Sequence, residues 1–142
     1  MKVLLQEFEE LPFPKQSDIV YVLCFANPLT QAEPIPFYVG ESSRHVGRIG
    51  DYVAAKFSAS TDFKVGEAVK HFRALGFEVK VMYKESKDRK AEEDALIKSL
   101  EGKSFLLLNK MKGYDYRAGG EKTERKKVQN FVDKIVKASK RG

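Results

Sequence analysis

Cysteine, histidine and long apolar runs are scarce in this sequence. The single cysteine, Cys24, has no partner for an intramolecular disulfide, and inside an apolar run it reads as a small buried hydrophobe. With only His45 and His71 beside it, the ligand set of a structural zinc site is missing. Neither histidine has a suitably spaced partner, so neither reads as a general base. No apolar stretch approaches the roughly 20 residues that span a bilayer. The opening M-K-V-L-L-Q-E-F-E-E turns acidic before a signal-peptide pattern develops. A cytoplasmic location without a membrane partner is expected. Internal repeats and low-complexity segments are absent.

What is present is enough apolar material for a core: 42% of 142 residues, which predicts one domain over 1–142. The net charge of +6 is concentrated at one end. Residues 121–142 hold eight basic residues, Lys122, Arg125, Lys126, Lys127, Lys134, Lys137, Lys140 and Arg141, against Glu121, Glu124 and Asp133. A basic end on a near-neutral chain suggests a polyanion partner, and a solvated lysine-rich helix is the plainer alternative.

Ile19 to Phe25 is β-branched and aromatic-rich, and Phe37 to Gly40 lies between Pro36 and a Gly-Glu-Ser-Ser turn; both read as strands. The connection Asn27 to Pro36, with three prolines, makes the pair a long-looped hairpin. From Arg44 to about Phe57, Val46, Ile49, Val53 and Phe57 recur at helical spacing, and Arg44, Arg48, Tyr52 and Lys56 form a stripe beside them. Ser60, Thr61 and Asp62 begin a second helix that carries Val65, Ala68, Val69 and Phe72 on one face and stops at Gly76. Phe77 to Tyr83 alternates as a half-buried strand with Glu78 and Lys80 outward. Ser86 or Asp88 starts a third helix that ends at Gly102, and a last helix runs from about 121 to 139. Met1 to Leu11 fits strand or helix. The fold class expected is α+β, a small central antiparallel sheet of about three strands flanked by helices, with a core over about 18–110 and an extra basic C-terminal helix.

On the third helix Glu93 falls three, four and seven positions before Leu96, Ile97 and Leu100, in the middle of the apolar face. Two readings of it stand on position alone: a carboxylate aimed inward for pairing or a cation, or an acidic residue complementing the helix dipole. The short apolar run Ser104 to Leu108 delivers Asn109 to the edge of the core. Lys110 to Glu121 interleaves Lys110, Lys112 and Arg117 with two tyrosines, which suits a phosphate backbone and suits an ordinary surface loop equally.

Tyr21, then Y-V-G at Tyr38 to Gly40, then Arg48 and Tyr52, then E-D-A-L-I at Glu93 to Ile97, then L-L-L-N ending at Asn109 resemble, in that order, the landmarks of the GIY-YIG nuclease domain. The resemblance covers about residues 18–110. Ile19 stands where the first motif has glycine, and the 17-residue step from Tyr21 to Tyr38 is longer than the family norm, which bears on the hairpin turn. The resemblance implies a metal-dependent endonuclease acting on DNA, with Tyr21, Tyr38, Arg48, Tyr52, Glu93 and Asn109 as the catalytic set. Glu93 is then the ligand of one Mg²⁺ or Mn²⁺. Arg48 clamps the scissile phosphate, and Tyr21 activates water with Tyr38 as its hydrogen-bonding partner, roles that could be exchanged. Tyr52 replaces the histidine of some relatives and orients water or phosphate. Asn109 does structural work as much as catalytic. Expected backbone contacts are Arg44, Lys56, Lys110, Lys112, Arg117, Lys126 and Lys127. With one active site per chain, cutting both strands requires a homodimer or two successive nicks. The competing reading is a DNA-binding module on the same fold without activity.

Overall fold

In a computed structural model, the structure describes residues 18–30, 33–42, 60–111 and 121–139. The expected helix over Arg44 to Phe57, the Met1 to Leu11 segment, the loop bearing Lys112 and Arg117, and Lys140 and Arg141 lie outside the described residues. So do the Arg44, Arg48, Tyr52 and Lys56 assignments.

The protein is α+β. Strand β1, Ile19–Ala26, has all eight residues buried, as suits an apolar run, carrying no charged side chain, that is covered on both faces. It is the middle strand of a three-stranded antiparallel sheet, flanked by β2 (Ile35–Ser42) and β3 (Glu78–Glu85). Period two divides β1 between two cores. Ile19, Tyr21, Leu23 and Phe25 join the cluster on one face, and Val20, Val22 and Cys24 join the cluster on the other.

β2 starts earlier than Phe37, and the connection ends at Pro34 rather than Pro36. The register explains why a proline is tolerated there. Leu23 pairs with Tyr38 and Cys24 with Pro36, so Phe37 is the extra residue of a bulge on an edge strand, where a missing N–H costs no ladder bond. The bulge also turns two consecutive residues, Phe37 and Tyr38, toward one core, which a regular strand forbids.

Helix α1, Ser60–Ala74, packs Val65, Ala68, Val69 and Phe72 on the Tyr21 face. Phe72 stacks on Phe25 at 4.5 Å and meets Phe37 at 4.4 Å. Gly76, with φ of 94°, reverses the chain into β3, which extends two residues beyond Tyr83. Helix α2, Arg89–Gly102, covers the other face through Leu96, Ile97 and Leu100, and the side chain of Asp88 accepts from the Ala91 N–H at its start. The buried Leu107 and Leu108 then lead into a 3-10 turn over Leu108–Lys110.

Helix α3, Glu121–Ser139, lays Val128, Val132 and Ile135 on the Tyr21 face beside α1 and leaves Lys122, Lys126, Lys134 and Lys137 exposed. His71 of α1 meets Asp133 at 2.8 Å, and Glu67 of α1 meets Arg125 at 3.3 Å. The contacts rise together along both helices, so α1 and α3 run parallel. Both end at the Phe25 and Ile35 end of the sheet: Phe72 is stacked on Phe25, and Ile135, Ala138 and Ser139 line a cavity of about 560 Å³ with Ile35 and Pro36. Their first turns therefore lie toward the opposite end, where Tyr21, Gly40 and Tyr83 are.

Candidate active site

Four consecutive residues of β2 each carry one part of the site. Tyr38 is the first. It lies diagonally across from Tyr21 on the same face, with the two rings 6.4 Å apart and inclined at 46°. Both are buried, Tyr21 with 4% and Tyr38 with 8% of its surface exposed.

Val39 is the second. Asn109 reaches β2 from the 3-10 turn and makes two bonds to it: the Val39 N–H donates to Asn109 Oδ1 at 2.9 Å, and Asn109 Nδ2 donates to the Val39 carbonyl at 2.7 Å. The amide imitates a neighbouring strand for one residue and satisfies both backbone groups at the sheet edge. Both ends of the Asn109 side chain are thereby engaged in bracing the strand.

Gly40 is the third. It pairs with Tyr21 across the ladder, and a Cβ built on it stands 2.3 Å from Tyr21 Cζ and 2.4 Å from the hydroxyl oxygen. The tyrosine ring fills the space that any other residue's side chain needs. Glycine is demanded here by close approach, not by backbone torsion.

Glu41 is the fourth and points to the α2 face, as Val39 does. Its carboxylate holds Arg89 of α2 at 3.0 Å, and Arg89 also approaches Asp18 at 4.0 Å. Glu93, one turn after Arg89, feels Glu41 directly. Burial, then the like charges of Glu41 and Asp94, push the Glu93 carboxyl above the ordinary range, against the pull of Lys90. Its neighbour Glu92 goes the other way: the Ser86 hydroxyl donates to it at 2.7 Å and Lys84 lies at 3.1 Å, which together hold its carboxyl below the usual value.

Tyr21 packs on Gly40 from one face of the sheet, and on the other face Glu93 lies within electrostatic reach of Glu41, the next residue of β2. Of the residues singled out from sequence, Tyr21, Tyr38 and Asn109 come together along Tyr38 to Gly40, and Glu93 is near enough to Glu41 to feel its charge. Arg48 and Tyr52 lie outside the described residues. Lys110 and Lys127 are ion-paired, with Glu101 at 3.3 Å and Glu124 at 2.9 Å, and about half of each lysine side chain is exposed. Lys126 is exposed on α3. His71 bridges two helices and stands apart from the tyrosines.

Three residues escaped the sequence. Glu41 and its Arg89 partner carried a faint signal, since alternation from Val39 sends Glu41 toward the same helix. Tyr83 pairs directly with Tyr21 and is equally buried, giving three tyrosines across three strands; its place opposite Tyr21 needs the register. Among the described residues no three His, Cys, Asp or Glu side chains gather into a metal ligand set. Comparison with protein-family models, with curated proteins and with solved structures finds no match to this chain.

Proposed function

We propose that this protein is a metal-dependent endonuclease that hydrolyses phosphodiester bonds in DNA through a GIY-YIG-type site. The observation that carries the reading is the meeting of Tyr21, Tyr38 and Asn109 along consecutive residues of β2, with Glu93 within electrostatic reach of Glu41, the residue that follows. Residues far apart in sequence, chosen for their resemblance to one family's landmarks, meet along a single stretch of edge strand.

The residues present fit one divalent cation. Glu93 is half-buried beside like charges, an arrangement that a cation relieves. Glu93 would hold such an ion through hard carboxylate oxygens, a donor type that suits Mg²⁺ or Mn²⁺. When bound, it neutralises charge on the phosphoryl oxygens and lowers the pKa of water.

The chain's own residues do the rest. Tyr21 accepts a proton from the attacking water, and its packing against Gly40 fixes where the phenol oxygen lies. A phenol loses its own proton only near pH 10 unless cations stabilise the anion, which Arg48 supplies in this scheme. Tyr38 orients Tyr21. Arg48 holds the phosphate as its charge grows. Asn109 is a positioning residue: it holds Val39, and through it the strand that carries Tyr38 and Gly40. The exposed lysines of α3 follow the flanking backbone.

The test is nicking of supercoiled plasmid and of branched oligonucleotides by purified protein with Mg²⁺, with Mn²⁺ and with chelator. Metal-dependent cutting lost in Glu93→Ala and Arg48→Ala supports the reading. Tight, salt-dependent DNA binding without cutting replaces it with the inactive binding module.

A further inference from the structure

The cavity at the Phe25 and Ile35 end of the sheet opens where residues 103–106 pass the start of β2. Phe105 and Leu106 are neighbours in the chain but pack into different cores, Phe105 on the α2 face and Leu106 on the Tyr21 face. With Ile35, Pro36, Ile135 and Ala138 they wall a space of about 560 Å³. Pro36 has no N–H, so this stretch of the strand has one donor fewer to satisfy against an apolar wall. Ile35, Phe105, Leu106 and Ala138 are only half-buried. A space of this size, apolar inside with a few polar groups at its mouth, has the form of a small-molecule site.

The polar lining residues are Glu33, Lys103, Ser104 and Ser139. Glu33 is engaged in an interaction of its own, and the Ser139 hydroxyl donates to the Val136 carbonyl at 2.6 Å. Ser104 is unusual in its backbone. Its N–H donates to the Glu101 carbonyl at 2.9 Å and the Phe105 N–H donates to the Leu100 carbonyl at 3.1 Å, the two bonds that close a helix on a left-handed residue. That residue is Ser104, with φ of 71°. Glycine takes such a conformation without steric cost, whereas the Cβ of serine is strained by it. The strained residue lines the cavity next to Lys103, and strain held at the lip of a cavity points to a use for the side chain.

We propose that this cavity binds an amphipathic organic anion, a compact apolar body ending in a carboxylate or similar group. The body displaces water from the half-buried side chains and rests on Leu106 and Ile135, and the anion accepts from the Lys103 ammonium and the Ser104 hydroxyl. The site is separate from the tyrosines, since Gly40 lies five residues along β2 from Ile35, on the order of 15 Å away. The inference does not depend on the nuclease reading.

The test is binding of the fluorescent dye anilinonaphthalene sulfonate to the full-length protein without DNA, and its displacement by decanoate and by decanol. Wild type is expected to take up the dye at one saturable site and to release it to decanoate, with decanol about tenfold weaker, the weight of a hydrogen bond to a charged group. Ala138→Phe fills the cavity from the last turn of α3 and abolishes the saturable signal. Lys103→Gln weakens decanoate by about tenfold and leaves decanol unchanged. Ser104→Gly weakens decanoate while raising the melting temperature, because glycine relieves the left-handed strain. Lys103→Gln and Ser104→Gly are changes at exposed positions, so they carry the test if Ala138→Phe melts early. Dye that binds a folded Ala138→Phe as it binds wild type, decanol that competes as well as decanoate, or decanoate affinity unchanged in both Lys103→Gln and Ser104→Gly overturns the inference. So does wild type that binds neither dye nor decanoate, and each of these results leaves the nuclease reading in place.

Discussion

The ring of Tyr21 fills the space above Gly40 so closely that a Cβ on Gly40 would lie 2.3 Å from Tyr21 Cζ. Gly40→Ala therefore has to displace the tyrosine or bend an edge strand that is already bulged. Overpacking of this sort costs about 1–3 kcal/mol. Chemical denaturation is expected to show that loss in Gly40→Ala and much less of it when Tyr21→Ala is added, because the second change removes the clash. Equal losses in both backgrounds would mean the contact does not govern the strand.

Asn109 makes a different kind of contribution. Asn109→Ala leaves the N–H and carbonyl of Val39 without their partner, at a cost of about 1–3 kcal/mol, and the Val39 amide should lose hydrogen-exchange protection before its neighbours in β1 do. Asn109→Asp is not a mild change here. A carboxylate only accepts, so one of the two bonds becomes an oxygen facing an oxygen. Stability measured near neutral pH should fall at least as far as for alanine.

How much of this was legible beforehand depends on what each feature rests on. The strands, α1, α2 and α3 follow from periodicity, which a sequence displays directly, and Leu107 and Leu108 delivering Asn109 follow from one apolar run. Pro36 misled the start of β2, because proline argues against a strand unless the strand is at an edge and bulged, and edge position is a property of the whole sheet. Glu93 was visible as a carboxylate on an apolar helical face. Glu41 became part of the site only through α2 packing against β2, and Tyr83 only through its pairing with Tyr21. Contacts between distant segments leave no spacing to read.

The pH dependence of stability follows from the two glutamates side by side on α2. Glu93 has its carboxyl raised in the folded state, so the native protein binds a proton more readily than the unfolded chain does. Stability is therefore lost at this site as pH rises from the ordinary carboxylate value of about 4.3 through the raised one. Glu93→Gln should match wild type at lower pH and exceed it above that window. Glu92 has its carboxyl lowered, so its contribution is present above the ordinary value and fades as pH falls through the lowered one. Glu92→Gln should be less stable than wild type at neutral pH and converge with it in acid. Urea titrations at several pH values separate the two, and curves of the same sign for both variants would refute the assignment.

A cation at Glu93 has a consequence that needs no catalysis. Ligand that binds only the native state raises its stability by mass action. Millimolar Mg²⁺ or Mn²⁺ is expected to raise the melting temperature of wild type and not that of Glu93→Gln. A shift of equal size in both would place the ion elsewhere.

The exposed lysines of α3 should act on affinity alone. Replacing Lys122 and Lys126 together by Gln removes two cations and flattens the salt dependence of DNA binding by about 1.8, with little change in the single-turnover rate on saturating substrate. A large loss of rate at saturation would put these residues in the chemistry rather than beside it.

The central claim is that Tyr21 and Glu93, on opposite faces of the sheet, act on one phosphate through adjacent residues of β2. Single-turnover cleavage by Tyr21→Phe, Glu93→Gln and the double variant tests it most directly. Groups that work as a unit lose their effect together, so each single change should slow cutting by a hundredfold or more, a magnitude typical of about 2.7 kcal/mol of transition-state stabilisation. The double variant should then be little slower than the worse single one. Losses that multiply, or a Tyr21→Phe variant that cuts at the wild-type rate, would contradict it.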